Sequence, residues 1–338
     1  MKKIKSKNII AIASLVPLLL VSGLSLGQAD TYTVPRTVDG VPDLQGMWTN
    51  NTITPLSRPA QYGDQLVLSP TEARQLEIDV ASYNSEKSLA SDPSREAPTK
   101  GQIDLADSYN NFWMDGGTLV ARYDNEFRSS LIVAPADGQI PAYTTAAQQR
   151  IDAARAVRRS GGAFDGPESR PLAERCIMSF GSSSGPPMLP ILYNNHYQIV
   201  QSPGYVMILV EMVHDVRIIR IDDTPLPEAM RRWMGDSTAH WEGDTLVVHS
   251  TNLNTKQAYR GASENFAVTE RFNRVADDSI NYSFTIEDPD TFTQDWSAQI
   301  PMTRTDDKLY EYACHEGNYS LPGVLAGARR AEREILGQ

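Results

Sequence analysis

Three short stretches of this chain gather the residue types that move protons, clamp anions or hold metal ions. In EMVHDVR, Glu211, His214, Asp215 and Arg217 fall close together. A histidine beside carboxylates makes a general acid or base, because the carboxylate fixes the imidazole tautomer. Arg217 would add a bidentate clamp for a substrate carboxylate or carbonyl. The same residues equally suit a buried Glu/Asp–Arg pair that sets strand register. In HWEGD, His240 and Glu242 share a strand face, and an H-x-E pair at that spacing can chelate one metal ion. No third ligand is fixed by local spacing; His249, His214 or His315 would have to arrive through the fold. The plainer reading is a rim histidine beside Trp241.

The third stretch is EYACHEGNYS, Glu311 to Ser320. If KLYEYAC is a strand, Tyr312 and Cys314 share a face, and His315, Glu316 and Asn318 lie just past its end, where catalytic groups are often carried. His315 with Glu316 or Asp215 would serve as a general base. The alternative is that these residues cap a C-terminal helix. Several familiar signatures are missing: there is no GxSxG elbow, HExxH, Rossmann glycine loop or P-loop. GSSSG at 181–185 precedes Pro-Pro rather than a helix, which argues against a serine nucleophile.

The composition limits what surrounds these groups. Met1 to Ala29 reads as a cleavable export signal: a lysine-rich start, an apolar run broken by Pro17 and Gly23, then small residues Gly27 and Ala29. A hydrophobic fraction of 41% suits a chain with a real core. The formal net charge of −11, with no basic cluster among aromatics, argues against nucleic acid. Cys176 and Cys314 are the only cysteines, and an even count in an exported chain favours a disulfide.

The elements that must position the site are mostly strands. LSPTEARQLEIDVASYN predicts a helix with Ser69 as N-cap, Pro70 in the first turn and Glu72 completing a capping box. TTAAQQRIDAARAVRRS predicts another, and GARRAEREILGQ a C-terminal one. Residues 84 to 108 read as a polar loop. GTLVARY and SSLIVAP are short strands. From HYQIVQS onward strands follow in quick succession, separated by SPG, EGD, ADD and EDPD turns. DTPLPEAMRRWMGDS interrupts them as a short helix or loop. YVMILVEMVHDVRIIRI reads as one long strand whose alternation would project Glu211, Asp215 and Arg217 from one apolar row, unless it bends near Glu211. The pattern predicts a mainly β fold, an antiparallel meander closing into a barrel or sandwich. It forms a single domain over 30–338: an irregular, partly helical part (30–175), a β core (176–320) and a C-terminal helix (321–338).

RSSLIVAPADGQIP, GPPMLP, YNNHYQIVQSPGYVMILVEMVHDVRII, WMGDSTAHWEGDTLVVHSTNL, TERF, TIEDPDTFTQDW and YEYACHEGNY follow one another in an order that resembles a large group of exported bacterial proteins of unknown function. The resemblance covers most of the mature chain. It implies an exported single-domain protein and no particular reaction. His249 stands where that group's pattern has an acidic residue, which counts against a role for it. Gly46-Met47-Trp48 also resembles the GxW of lipocalin-like, calycin-type barrels. That similarity implies a barrel, and such barrels include carriers of apolar ligands and a few enzymes, such as carotenoid hydratases.

Together these features lead to a periplasmic or secreted enzyme of lyase, isomerase or hydrolase type, acting without a cofactor on a small organic molecule in the barrel mouth. His315 or His214 would move the proton, Glu211, Asp215 and Glu316 would orient it, Arg217 would clamp, and Tyr312, Trp241 and Asn318 would line the pocket. The competing expectations are a carrier of an apolar ligand and a metal-dependent enzyme built on His240 and Glu242. No nucleic-acid partner and no lasting membrane insertion are expected.

Overall fold

The computed structural model describes residues 32–89, 94, 114–178, 185–256 and 259–337, with the backbone alone at His214. The expected export signal, most of the 84–108 loop and the serines of GSSSG lie outside the described residues. Nine strands close a barrel, in the order β1 (Gly46–Thr49), β6 (His196–Ser202), β7 (Tyr205–Val210), β8 (Val216–Ile221), β9 (Asp236–Glu242), β10 (Thr245–Thr251), β11 (Ala267–Ala276), β12 (Ser279–Glu287) and β13 (Trp296–Arg304). β1 pairs with β13 through Trp48–Arg304 and Thr49–Thr303 and completes the ring. It reaches only the end of β13, whose other half pairs with β5 (Ile132–Ala134). β2 (Val67–Leu68), β3 (Arg122–Tyr123) and β4 (Glu126–Arg128) form a separate small sheet, so GTLVARY is strand only at its end.

The meander is antiparallel with one exception. β8 and β9 run parallel, Ile219 opposite Ser237 and Ile221 opposite Ala239. A closed ring of nine strands cannot alternate direction all the way round, so one parallel neighbour pair is required. Residues 222–235, which hold all of the DTPLPEAMRRWMGDS segment but its last two residues, supply the long return that a parallel pair needs. They do so as turn and extended chain, with a bridge from Arg232 to Leu253.

YVMILVEMVHDVRIIRI is not one strand. Seventeen residues of strand would run about 55 Å, well beyond the usual strand length. The chain instead folds back at 211–215. Glu211 is helical, and Val213 takes φ 65° and ψ 7°. The turn flips the alternation: Val206, Ile208 and Val210 point inward before it, Arg217 and Ile219 after it. Glu211, Asp215 and Arg217 therefore do not share a row. KLYEYAC forms no strand either. The nine-stranded ring closes without it, through the β1–β13 pairing.

Large side chains fill the interior. Tyr282, Phe284 and Ile286 from β12 meet Trp296, Ile300 and Met302 from β13, all nearly inaccessible. Phe284 packs edge-on against Trp296 with ring centroids 5.6 Å apart. Trp48 of the GxW sequence plugs one end. Its indole N–H donates to Leu44 O at 2.9 Å, and the Arg274 guanidinium lies 5.7 Å over its ring. That end is shut by the tight turns after β6, β9 and β11. The opposite end carries the longer connections, including 185–195 and 211–215.

The helices follow their sequence signals. α1 (Pro70–Lys87) starts with the Ser69/Glu72 capping box, and α2 (Thr145–Arg159) is capped by Thr144. α3 (Ser320–Ile335) begins earlier than the sequence pattern indicated. Cys176 and Cys314 are bonded across a sequence separation of 138 and tie the start of α3 to the 172–178 turns. Val34–Gln338 cluster as one unit, and the ten-stranded sheet draws β1 and β5 from the part expected to be irregular.

Candidate functional site

The open end gathers its titratable groups around His196, the first residue of β6. Across the β6–β7 hairpin Tyr197 pairs with Val210, so His196 and Glu211 are the next rung. Glu211 N donates to His196 O at 3.0 Å, and the imidazole Nδ1 lies 2.7 Å from Glu211 Oε2. Glu211 is 3% exposed, while its other oxygen accepts from Tyr310 N at 3.4 Å. With Nδ1 protonated toward Glu211, Nε2 carries the lone pair. It faces outward, 3.6 Å from the exposed Asp307 carboxylate. After β13 the chain passes Met47, bonding through Thr305 N, and then runs by His196 to Glu211.

Asp115 completes the group. Asn51 Nδ2 donates to its Oδ1 at 2.6 Å, and Asn195 Nδ2 holds its backbone carbonyl at 2.7 Å. Its Oδ2 is buried with no hydrogen-bond partner among the described residues. Burial pushes the Asp115 carboxyl above its ordinary value. The hydrogen bond to Glu211 does the same for His196, against desolvation, and the charges of Glu211, Asp115 and Asp307 add to it. Nearby, Tyr193 is pushed up by burial and by neighbouring Tyr312.

Two clefts adjoin this end. One, of about 540 Å³, is walled by Ile53, Leu56, Leu131, Leu189, Ile191 and Leu192. The other, of about 730 Å³, runs along α1 and contains Asn51 and Asp115. They share Ile53, Gly116 and Leu192. The turn beside Glu211 carries the strain of Val213, a β-branched residue in the left-handed region, and such strain gathers at functional sites.

Of the residues singled out in the sequence whose side chains are described, only Glu211 belongs to this group; the His214 side chain lies outside the described residues. Asp215 closes the same turn, its carbonyl accepting from Val210 N at 2.8 Å. Arg217 is sealed inside the barrel, Nη1 3.0 Å from Glu270 Oε1 and Nη2 2.5 Å from Oε2. The anion it clamps is the chain's own. Burial opposes the Arg217 charge, yet Glu270 outweighs that and raises its pKa. Tyr282 donates to Glu270 at 2.8 Å, and burial drives the phenol's own pKa well up. Tyr312 is half-buried against the core beside Tyr193. Trp241 lines a cleft with Tyr205 and Gln201 on the side of the tight turns, away from His196. His315 and Glu316 are exposed and make no side-chain hydrogen bond or ion pair among the described residues. Asn318 is structural: it caps α3 through Leu321 N at 3.3 Å and donates to Glu174 O at 2.7 Å.

His240 and Glu242 do share the outer face of β9, 3.1 Å apart, with Arg271 donating to Glu242 at 2.7 Å. That donation and the one from His240 hold the Glu242 carboxyl below its ordinary range. His249 meets Thr269 instead. Among the described residues no group of three or more His, Cys, Asp or Glu is placed to hold a metal ion.

His196, Asp115 and Asp307 carried no local motif. His196 was nevertheless within reach, because folding the chain about the Pro203–Gly204 turn sets it opposite Glu211. Asp115 and Asp307 had no such signal. Compared with models of protein families and with curated proteins, the chain matches none.

Proposed function

We propose that this chain is an exported enzyme performing acid/base chemistry on a small organic molecule, of lyase, isomerase or hydrolase type, with His196 as the proton-transferring residue. The observation that carries the reading is the 2.7 Å contact between His196 Nδ1 and buried Glu211. A buried carboxylate behind an imidazole fixes the tautomer and stabilises the imidazolium formed when Nε2 takes a proton. Asp115, its carboxyl raised by burial, stands beside the pair as a further titratable group. The leucine- and isoleucine-walled cleft next to it suits a substrate with an apolar body. A disulfide between Cys176 and Cys314 fits the oxidising compartment that the N-terminal sequence implies.

The test is turnover by the mature protein of a panel of esters, hydratable alkenes and carbonyl compounds with an acidic α-proton, incubated in D2O and read by mass spectrometry. His196→Ala should lower the rate by about 10²–10⁴, and Glu211→Gln should lower it by less. His315→Ala should leave it unchanged. Turnover that survives His196→Ala would sink the proposal.

The apolar cleft also supports a second reading, a carrier of an apolar ligand. It predicts saturable binding that is indifferent to His196→Ala and unaccompanied by chemical change.

A further inference from the structure

A larger cleft, of about 930 Å³, lies between α2 and the segment 259–264, and the acid/base reading makes no use of it. Its construction is specific. Gly261 has φ 80°, and a Cβ there would come within 2.8 Å of Ile151, so only glycine lets this segment lie against the helix. Arg150 stitches the two together, its Nη2 3.1 Å from Thr291 Oγ1 and within hydrogen-bond range of the Gly261 and Asp290 carbonyls.

Every basic group lining the cleft is an arginine: Arg150, Arg155, Arg158 and Arg260, facing two acids, Glu264 and Asp290. That is a local excess of positive charge on a chain of net −11. Arg150 is committed as above, and Arg155 leans on Asp152 at 3.3 Å. Arg260 is held ready: its Nε donates to Tyr259 Oη at 3.2 Å, and its guanidinium lies 5.7 Å over that ring. Its terminal nitrogens make no hydrogen bond among the described residues. The Arg158 side chain is exposed and makes no hydrogen bond or ion pair among the described residues; its carbonyl accepts from Gly161 N. Tyr143, Ile151, Ala154 and Ala262 supply an apolar surface between the charges. Arginine forks match planar oxyanions, and the volume is that of a small-molecule site.

We infer that this cleft binds a small organic anion, a carboxylate, sulfonate or phosphate carried on a flat apolar body, with Arg158 and Arg260 as the clamp. The inference is independent of His196 and stands whether or not the chain is an enzyme.

Calorimetric titration of the mature protein with naphthalene-2-sulfonate and with its neutral counterpart, naphthalene-2-methanol, tests it. One saturable site is expected for the sulfonate, at least about tenfold tighter than for the alcohol. The preference should weaken as salt is added. Arg158→Gln with Arg260→Gln should abolish it; both side chains are exposed, so the fold should be retained and the melting temperature unchanged. Arg36→Gln, in a different cleft, should preserve it. Equal affinity for the two probes, no binding of either, or a preference that survives the double substitution would each overturn the inference.

Discussion

His196 and Glu211, fifteen residues apart in sequence, face each other across the last rung of the β6–β7 hairpin with Nδ1 2.7 Å from Oε2. The contact joins a half-buried imidazole to a carboxylate that is 3% exposed, and it leaves Nε2 on the open side.

Removing that carboxylate should lower the His196 pKa. In Glu211→Gln the imidazole resonances, followed by NMR titration, should report a lower pKa than in the parent. The sign for stability follows. A folded-state pKa raised above the unfolded value of about 6.5 stabilises the fold fully below that pH. The contribution fades as pH rises through the folded value. Denaturant midpoints of the parent should therefore fall over this window, and those of Glu211→Gln should fall less. An unchanged titration would mean that Glu211 does not govern the imidazole.

If His196 is the base, the same raised pKa should appear in catalysis. The acid limb of kcat/KM should rise with an apparent pKa above about 6.5 and shift downward in Glu211→Gln and Asp115→Asn. A limb that stays put in both variants would assign the titration to another group.

The Arg217–Glu270 pair lies inside the barrel, with side chains 1% and 0% exposed. Breaking one side should be severe. Glu270→Gln or Arg217→Met alone should cost about 3–5 kcal/mol in urea melts, because the surviving charge is stranded. The double change Arg217→Met with Glu270→Leu should cost markedly less than the sum. Additive losses would mean that the two charges act independently.

The Cys176–Cys314 bond closes a loop of 138 residues in the unfolded chain. Loop-closure entropy sets an upper estimate of about 5 kcal/mol for its contribution. Cys176→Ser with Cys314→Ser should lower the denaturant midpoint without removing the barrel signature in circular dichroism, since no barrel strand contains either cysteine. Loss of the β signal would show that the bond is needed for folding itself.

His240 and Glu242 engage each other and Arg271 on the outer face of β9. His240→Ala should leave the metal content of the purified protein unchanged in native mass spectrometry. A stoichiometric ion lost with this substitution would bring the metal-dependent reading forward.

The amino-acid sequence determined the local elements. Ser69, Pro70 and Glu72 write a helix start that needs no tertiary partner, because its hydrogen bonds close within four residues. Turn residues and two-residue alternation marked most of the barrel strands, and Gly46-Met47-Trp48 marked the first of them. Ring closure was not local. It made 222–235 a crossover, left KLYEYAC outside the ring, and broke the run after Val210 to keep one face in the lumen. The turn after Val210 separated Arg217 from Glu211 and gave each a different partner. Side chains that look alike on paper thus received opposite surroundings: Arg217 is locked to Glu270 inside the wall, while His196, an unmarked strand residue, stands at the rim against a buried carboxylate. Burial and pairing set what a charged group can do, and both depend on which strands become neighbours, information that no single stretch of the chain contains.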